Sequence, residues 1–317
     1  MSGDREGKLQ QVARQIVPGG RLLRAWDLTG GISAQITALI IEGPDGTRST
    51  AVLRQHGEAD LQGNPDVAAD EYRLLQILHA EGVAAPAPLH LDTSGQILPQ
   101  PFLAIEYLDG EIDFAPADRE DTVRQLASHR ARIHRIDPAT HDLSFLPRAS
   151  EVWDRRLAQR PAEPGASLDE GRIRDALEAS WPLPQRNPSV LLHGDYWPGN
   201  ALWRDGVLVA VIDWEDAQTG DPLADLANAR VEMVWIFGIE AMDSFTRHYL
   251  SLSGIDGAHL PYWDLCAALR QAGWAGSNLA EVAAFFAPYG RPDITEESIR
   301  ESYRFFVNQA FDKLTVP

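Results

Sequence analysis

The order of secondary-structure signals predicts an α+β fold with two lobes, a small antiparallel sheet followed by a mostly helical region. Strand-like segments dominate the first third of the chain, helical periodicity dominates the rest, and no regular β–α–β alternation is present. A chain of 317 residues is also long enough to form two hydrophobic cores. We place the boundary near residue 108, which gives domains of residues 1–108 and 109–317.

The first lobe is predicted to be a sheet of antiparallel strands with one helix. Turn sequences at Thr29-Gly30-Gly31 and Gly43-Pro44-Asp45-Gly46 separate the first strand-like segments. Apolar residues at helical spacing predict a helix over residues 67–80, which Gly82 ends. The predicted strands cover residues 21–28, 34–42, 47–55, 89–91 and 101–107.

The second lobe is predicted to be helical except for one strand-rich segment. That segment, residues 190–214, contains two apolar runs separated by polar and turn-forming residues. The predicted helices cover residues 117–135, 168–180, 224–237, 244–250, 262–273 and 296–312.

The composition restricts the partners and the compartment. A net charge of −18 argues against a nucleic-acid partner, because phosphate backbones are bound by basic surfaces. The acidity favours a cationic small molecule, although a role in solubility alone explains it more simply. The single cysteine, Cys266, allows no intrachain disulfide, and the longest apolar runs have only the length of a strand. With no secretory signal among its first ten residues, the chain is expected to be cytoplasmic, with no membrane span. The sequence gives no indication of the oligomeric state.

A set of polar residues stands at the ends of the two apolar runs of residues 190–214. His193 and Asp195 follow the first run, Asn200 lies beyond a Pro-Gly turn, and Asp213 ends the second run. Phosphoryl transfer uses such a set, in which one carboxylate orients the attacking hydroxyl and accepts its proton while an amide oxygen and a second carboxylate hold Mg²⁺. Each residue alone is equally typical of an ordinary turn, so only their combination predicts an active site.

Three motifs in this part of the chain resemble those of the aminoglycoside phosphotransferase and choline kinase family. The family's HGDxxxxN pattern stands at residues 193–200, its IDWE pattern at residues 212–215, and its GDPxxDLA pattern at residues 220–227. The resemblance implies a bilobal, protein-kinase-like fold. It also implies an enzyme that transfers the γ-phosphate of ATP or GTP to a hydroxyl group of a small molecule, with Mg²⁺ as cofactor.

The resemblance implies a role for each of five residues. Asp195 is expected to be the catalytic base, and Asn200 and Asp213 are expected to be the Mg²⁺ ligands. Asp225 is expected to bond to the backbone of the catalytic loop, and His193 is expected to pack beneath that loop.

The glycine turn of the first lobe resembles the family's turn over the nucleotide phosphates. Gly30 and Gly31 would allow close approach of the backbone, and the Ser33 hydroxyl could donate to a phosphate oxygen. An ordinary hairpin is the alternative explanation of this turn. The backbone of residues 106–108, from Glu106 to Leu108, is expected to meet the purine edge of the nucleotide.

Arg54 is a departure from the usual kinase pattern. Kinases place a lysine on this strand, paired with a helix glutamate, to hold the α- and β-phosphates. Here Arg54 takes that position, and Glu71 is the expected partner. Arginine keeps the charge but has a different shape. An exposed arginine in a surface ion pair is the alternative.

Other interpretations stay open. A nucleotide-binding pseudokinase with a regulatory role would explain Arg54, and a metal-dependent hydrolase would need further metal ligands that we do not find. His129 and His134 are predicted to lie on a solvated helical face. The acceptor is undecided among aminoglycosides, macrolides, amino alcohols and sugars. A cationic acceptor could be met by three acidic residues, Glu232, Asp243 and Asp264.

Overall fold

A computed structural model describes residues 3–28, 34–161, 168–275 and 278–314. The chain divides into two compact units, Met1–Asp109 and Gly110–Pro317. The predicted α+β class is confirmed.

The helices are α1 (Gly3–Ile16), α2 (Glu58–Gly63), α3 (Val67–Ala80), α4 (Arg119–Ile133), α5 (Ala149–Ala158), α6 (Glu170–Ser180), α7 (Pro222–Ile236), α8 (Ile239–Ser253), α9 (Leu260–Ala275), α10 (Leu279–Phe286) and α11 (Glu296–Lys313). The strands are β1 (Arg21–Asp27), β2 (Ala34–Glu42), β3 (Arg48–His56), β4 (Pro88–Asp92), β5 (Phe102–Glu106), β6 (Val190–Leu192), β7 (Ala201–Arg204), β8 (Val207–Val211) and β9 (Gln218–Gly220). Within the described ranges, no helix is both long enough and apolar enough to cross a bilayer.

The N-terminal unit is built on a five-stranded antiparallel sheet in the order β1-β2-β3-β5-β4. Strands β2 and β3 pair along their whole length, from Ala34 opposite His56 to Glu42 opposite Arg48. The turn between them is closed by the Gly43 N–H, which donates to Thr47 O at 2.8 Å. The turn therefore sets the register that places Arg54 and His56 on β3.

Helix α1 covers part of this sheet. Its Leu9, Val12 and Ala13 are buried in one cluster with Leu39 and Ile41 of β2. The sequence predicted one helix in this region, and the structure has three. Helix α1 escaped prediction because polar residues dominate it, although its apolar side chains recur at the i, i+3, i+4 spacing of an amphipathic helix.

Helix α7 forms the centre of the C-terminal unit. It packs against α8, α9 and α11, and its side chains are buried almost without interruption from Pro222 to Ile236. Apolar residues make up most of this helix, as is typical of a core position, and its charged residues, Asp225, Arg230 and Glu232, are buried with them. Two small antiparallel sheets, β6-β9 and β7-β8, are formed by the segment that directly precedes α7 in the sequence. Helices α5 and α10 were not predicted.

Candidate active site

The loop that follows β6, residues 193–200, is anchored by the Asp225 carboxylate of α7. The backbone N–H groups of His193 and Gly194 each donate to the Asp225 carboxylate at 2.9 Å. Gly194 has a φ of +83°, and a Cβ at this position would come within 1.9 Å of the Asp216 carbonyl oxygen. Only glycine therefore fits the loop at this point. These contacts are the ones that the family resemblance implied for Asp225.

His193 links this loop to the end of β8. Its Nδ1 accepts from the Asp195 N–H at 3.2 Å, and its Nε2 lies 3.0 Å from Ile212 O. Burial lowers the pKa of His193, so the ring is neutral near pH 7. The two contacts together assign the ring proton to Nε2, which donates to Ile212. His193 thus packs beneath the loop, as expected.

Asn200 holds the carboxylate of Asp195. Its Nδ2 donates to Asp195 O at 2.9 Å and to Asp195 Oδ2 at 3.0 Å. Because a carboxylate oxygen can only accept, these contacts also determine which way the amide faces, with the Asn200 Oδ1 directed away from Asp195. That oxygen is the atom that a cation would bind.

The β7-β8 hairpin brings Asn200 and Asp213 together. Asn200 directly precedes β7, Asp213 follows β8 after one residue, and the Ile212 N–H donates to Asn200 O at 2.9 Å. Asp213 has a φ of +70°, a left-handed conformation that few residues other than glycine, asparagine and aspartate adopt. The three residues predicted to converge, Asp195, Asn200 and Asp213, therefore lie on adjoining pieces of backbone.

A buried network beneath Asp225 was not predicted. His134 Nε2 lies 3.2 Å from Asp225 Oδ2, and His134 Nδ1 lies 2.6 Å from the Tyr249 hydroxyl. Burial lowers the pKa of His134, so a neutral ring receives a hydrogen bond from Tyr249 and donates one to Asp225. Arg130, which is fully buried, stacks its guanidinium over the Tyr196 ring at 4.2 Å. The prediction of a solvated face for His134 was wrong.

The three acidic residues considered for a cationic acceptor have different surroundings. Asp264 is buried and bonded to the Arg230 guanidinium at 2.9 and 3.0 Å, so its charge is already paired. Glu232 is buried and accepts from Gln271 Nε2 at 2.6 Å. Asp243 lies in the second turn of α8, beside an open depression that Arg247 also lines.

Burial raises the pKa of Glu232 to about 8, and the nearby charge of Asp195 adds to this shift. At neutral pH the protonated form of Glu232 is therefore favoured. Of the three candidate carboxylates, Glu232 and Asp264 lack a free negative charge for an acceptor under these conditions.

Arg270 of α9 is the main contact of the loop that sequence reasoning missed. Its Nη2 donates to Asp195 Oδ1 at 2.9 Å and to Asp216 Oδ2 at 3.1 Å, and its Nη1 donates to Gly194 O at 3.0 Å. Nothing in the local sequence marks this arginine, because it comes from a helix far along the chain from the motif.

In the N-terminal unit, Arg54 and Glu71 form the predicted pair. Arg54 Nη1 lies 3.5 Å from Glu71 Oε1, and both side chains are buried, which rules out the surface ion pair. His56, which points to the same side of β3 two residues later, lies 3.0 Å from Glu71 Oε2. This second partner of Glu71 was missed, although strand alternation could have indicated it.

The remaining nucleotide-site predictions are described only in part. Gly30, Gly31 and Ser33 lie outside the described residues. The Glu106 N–H donates to Ala87 O at 2.9 Å, so a purine contact by Glu106 would have to use its carbonyl oxygen. Leu108 follows the end of β5 and lies outside the sheet.

Residues 28–291 match the family model described as the phosphotransferase enzyme family, APH. This match covers more than half of the chain and includes the loop, the β7-β8 hairpin and Asp225. The chain belongs to the phosphotransferase enzyme family. The predicted family resemblance is therefore confirmed, and the chain is a kinase-like phosphotransferase by fold and family.

This phosphotransferase spans less than two fifths of the length of several curated relatives that it matches. It is similar to acyl-CoA dehydrogenase family member 10 of Mus musculus, with 28% identity over 192 residues that cover 56% of this chain and 18% of the mouse protein. The aligned part spans 18% to 38% of acyl-CoA dehydrogenase family members 10 and 11.

Solved structures share the fold over nearly the whole chain. A Ralstonia eutropha JMP134 protein, provisionally named an aminoglycoside phosphotransferase, has 18% identity and a TM-score of 0.67, with 97% of each chain covered. Macrolide 2′-phosphotransferase MphH of Brachybacterium faecium has 22% identity and a TM-score of 0.62, with 93% of this chain and 97% of that chain covered. At these identities the likeness establishes the kinase-like fold.

Proposed function

We propose that this phosphotransferase moves the γ-phosphate of ATP or GTP to a hydroxyl group of a small molecule, with Mg²⁺ as cofactor. The observation that carries the proposal is the arrangement of Asp195, whose carboxylate is held by Asn200 on a loop that Asp225 fixes. Phosphoryl transfer depends mainly on positioning and charge stabilisation, and this loop supplies an oriented carboxylate.

The residues present fit a magnesium site. The Asn200 Oδ1 is directed away from Asp195. Asp213 directly follows Ile212, whose backbone N–H donates to the Asn200 carbonyl oxygen. An amide oxygen and a carboxylate are the hard oxygen ligands that Mg²⁺ takes together with substrate phosphates. We propose Asn200 and Asp213 as these ligands; bound Mg²⁺ would supply positive charge at the β- and γ-phosphate oxygens.

Asp195 is proposed to act on the acceptor. Its carboxylate orients the acceptor hydroxyl and takes its proton, while the hydroxyl oxygen forms a bond to the γ-phosphorus and the nucleoside diphosphate leaves. Asn200 and Arg270 each use one hydrogen-bonding position on the two carboxylate oxygens. A second lone pair on each oxygen remains available for the acceptor proton.

The N-terminal unit is proposed to serve the nucleotide. Buried Arg54 would hold phosphate oxygens in place of the usual lysine, with Glu71 as the residue that orients it. Gly30, Gly31 and Ser33 are proposed to lie over the phosphates. The purine edge would meet the backbone of Leu108 and the carbonyl oxygen of Glu106.

The acceptor is proposed to be a small-molecule alcohol that need not carry several positive charges to bind. Acidic composition alone favoured a cationic acceptor. Asp264 is paired with Arg230, however, and the raised pKa of Glu232 favours its neutral form. Both observations weaken the electrostatic argument for a polycation.

Nucleotide binding tests the proposal most economically. ATP and GTP are titrated by calorimetry with and without Mg²⁺ into wild type, Asp213→Asn and a matched control, Asp205→Asn. Asp205 also has a positive φ, 52°, in the turn of the same hairpin, and its side chain is exposed. Asparagine tolerates this backbone conformation in both variants, so each should fold.

We expect Mg²⁺-dependent binding to wild type and Asp205→Asn, and a loss of at least about 10-fold in affinity for Asp213→Asn, because one charged metal ligand is removed. In a thermal-shift assay, a nucleotide at about 100 times its Kd should stabilise the protein by about 2.7 kcal/mol. Equal binding by all three proteins would contradict the assignment of Asp213. Nucleotide binding without any transfer would favour the pseudokinase.

A further inference from the structure

Arg270 connects α9 to two adjacent residues of the catalytic loop. One guanidinium group donates to the backbone carbonyl of Gly194 at 3.0 Å and to the carboxylate of Asp195 at 2.9 Å. The same group also donates to Asp216 at 3.1 Å. A planar fork that holds a residue's carboxylate and the preceding carbonyl together restricts rotation of that side chain against its own backbone.

The other oxygen of Asp195 is held by a different residue, Asn200. Asn200 Nδ2 donates to Oδ2, while Arg270 donates to Oδ1. Two donors with separate anchors, one on the loop and one on α9, define the plane of the carboxylate. Without Arg270, the contact from Asn200 would remain, among the residues that the structure describes, to orient a side chain that is 28% exposed.

Arg270 lies among several acidic groups, with Arg156 as a second nearby cation. Asp195, Asp216 and Glu232 surround it. Burial alone would lower the pKa of Arg270, but the charges of Asp195 and Asp216 raise it, so the guanidinium stays charged. Arg270 can therefore hold Asp195 without exchanging a proton with it.

We propose that Arg270 is a positioning residue for phosphoryl transfer, which holds the Asp195 carboxylate in the orientation that receives the acceptor proton. The proposal rests on the proposed function, in which Asp195 is the base. In the transfer step the proton moves from the acceptor hydroxyl to Asp195, the oxygen–phosphorus bond forms, and the bond to the nucleoside diphosphate breaks. Arg270 acts through Asp195 and touches neither the acceptor nor the phosphate.

A purely structural role of Arg270 makes a different prediction. Helix α9 is attached to α7 by independent contacts, the Asp264–Arg230 pair and the Gln271–Glu232 hydrogen bond. Loss of Arg270 should therefore leave the fold in place. If Arg270 only fastened the helix, its removal would lower the melting temperature and leave the rate per folded molecule unchanged.

The experiment compares wild type, Arg270→Ala, Arg270→Lys and Asp195→Asn, with Arg160→Gln as a matched control. Arg160 also donates to two carboxylates, those of Asp175 and Glu178, but it is exposed and follows the end of α5. The probe is Mg·ATP with water as acceptor, measured as phosphate release. Nucleotide Kd is measured in parallel by calorimetry.

We expect phosphate release by Arg270→Ala to fall about 100-fold with the nucleotide Kd within about twofold of wild type, since a displaced base lowers the rate and not nucleotide binding. Arg270→Lys should fall about 10-fold, because one ammonium cannot span both acceptors. Added guanidinium at low millimolar concentration should restore part of the rate of Arg270→Ala. A wild-type rate in Arg270→Ala, alongside a slow Asp195→Asn, would overturn the proposal.

Failure of the proposed function gives a different result, in which Asp195→Asn is as fast as wild type or the wild type binds no Mg·ATP. A crystal structure of Arg270→Ala decides the positioning claim even if wild type releases no phosphate. The Asp195 carboxylate should leave its place against Asn200. An unchanged carboxylate would overturn the proposal.

Discussion

Two carboxyl groups of α7, Asp225 and Glu232, are both buried, but the first is an anion at neutral pH and the second favours its neutral form. Burial alone would raise the pKa of Asp225, but the hydrogen bond from His134 and the charge of buried Arg130 outweigh it, so its pKa lies below the ordinary value. For Glu232, burial dominates and the pKa rises to about 8. The two residues are seven positions apart, about two turns along one face of the helix.

The difference lies in the donors that each carboxyl group meets. Asp225 accepts from two backbone N–H groups and from His134, whereas Glu232 is bonded to Gln271, a neutral amide. Hydrogen bonds to a carboxylate favour its charged form, and burial without them favours the neutral form. The hydrogen-bond donors around each carboxyl group, and not burial alone, therefore determine its charge state. Asp225 holds the catalytic loop as an anion, whereas Glu232 carries a proton near the proposed base.

The largest expected effect comes from Asp225→Asn. An amide cannot accept from all three donors, and the charge of Arg130 would be left without its buried counter-charge. We expect the free energy of unfolding to fall by about 3–5 kcal/mol. Urea denaturation measures this loss.

Asp221→Asn is the matched control for Asp225→Asn. Asp221 caps the N-terminus of the same helix by accepting from the Leu223 N–H at 2.9 Å, and asparagine caps helices equally well. We expect this control to change stability by less than about 1 kcal/mol. If the two variants lose the same stability, the charge of Asp225 does not have the structural role assigned to it.

A smaller, pH-dependent effect is expected from Glu232→Gln. The pKa of Glu232 is about 8 in the folded protein against an ordinary value of 4.5, so the folded state holds a proton that the unfolded chain has released. The contribution of Glu232 to the free energy of unfolding should therefore decrease as the pH rises from its ordinary pKa towards its folded pKa. Glutamine keeps the acceptor for Gln271 and does not titrate. Its melting temperature relative to wild type should be higher at pH 8 than at pH 5.

A difference in melting temperature between Glu232→Gln and wild type that stays constant from pH 5 to pH 8 would show that Glu232 is ionised in the folded protein. The contrast with Asp225 would then disappear. The negative charge of Asp195 contributes to the raised pKa of Glu232. The comparison of melting temperatures between pH 5 and pH 8 should therefore be repeated in an Asp195→Asn background. Without that neighbouring charge, the pH dependence should become weaker.

The sequence predicted well the features that are carried by local patterns. Strand β2 was predicted at residues 34–42 and the structure has Ala34–Glu42, because turn-forming sequences stand on both sides of it. The polar residues of the loop and hairpin were recognised because they fall within one short segment. Asp195, Asn200 and Asp213 need only one hairpin to meet.

Contacts that join distant segments could not be predicted in the same way. Arg270 reaches Asp195 from a helix 75 positions later in the chain. His134 was predicted to lie on a solvated helical face, but it is buried and bonded to the Tyr249 hydroxyl. Arg130 of the same helix is also buried, with its guanidinium stacked over the Tyr196 ring. Single-sequence patterns contain no information on such tertiary partners.

The most direct test of the account is phosphoryl transfer itself. Wild type and Asp195→Asn are incubated with Mg²⁺, ATP or GTP and a panel of small-molecule alcohols that includes neutral and cationic members, and phosphorylated products are detected by mass spectrometry. We predict a monophosphorylated product from wild type, and a rate lower by at least about 100-fold from Asp195→Asn with nucleotide binding retained. Equal product formation by the two proteins would contradict the assignment of Asp195 as the base.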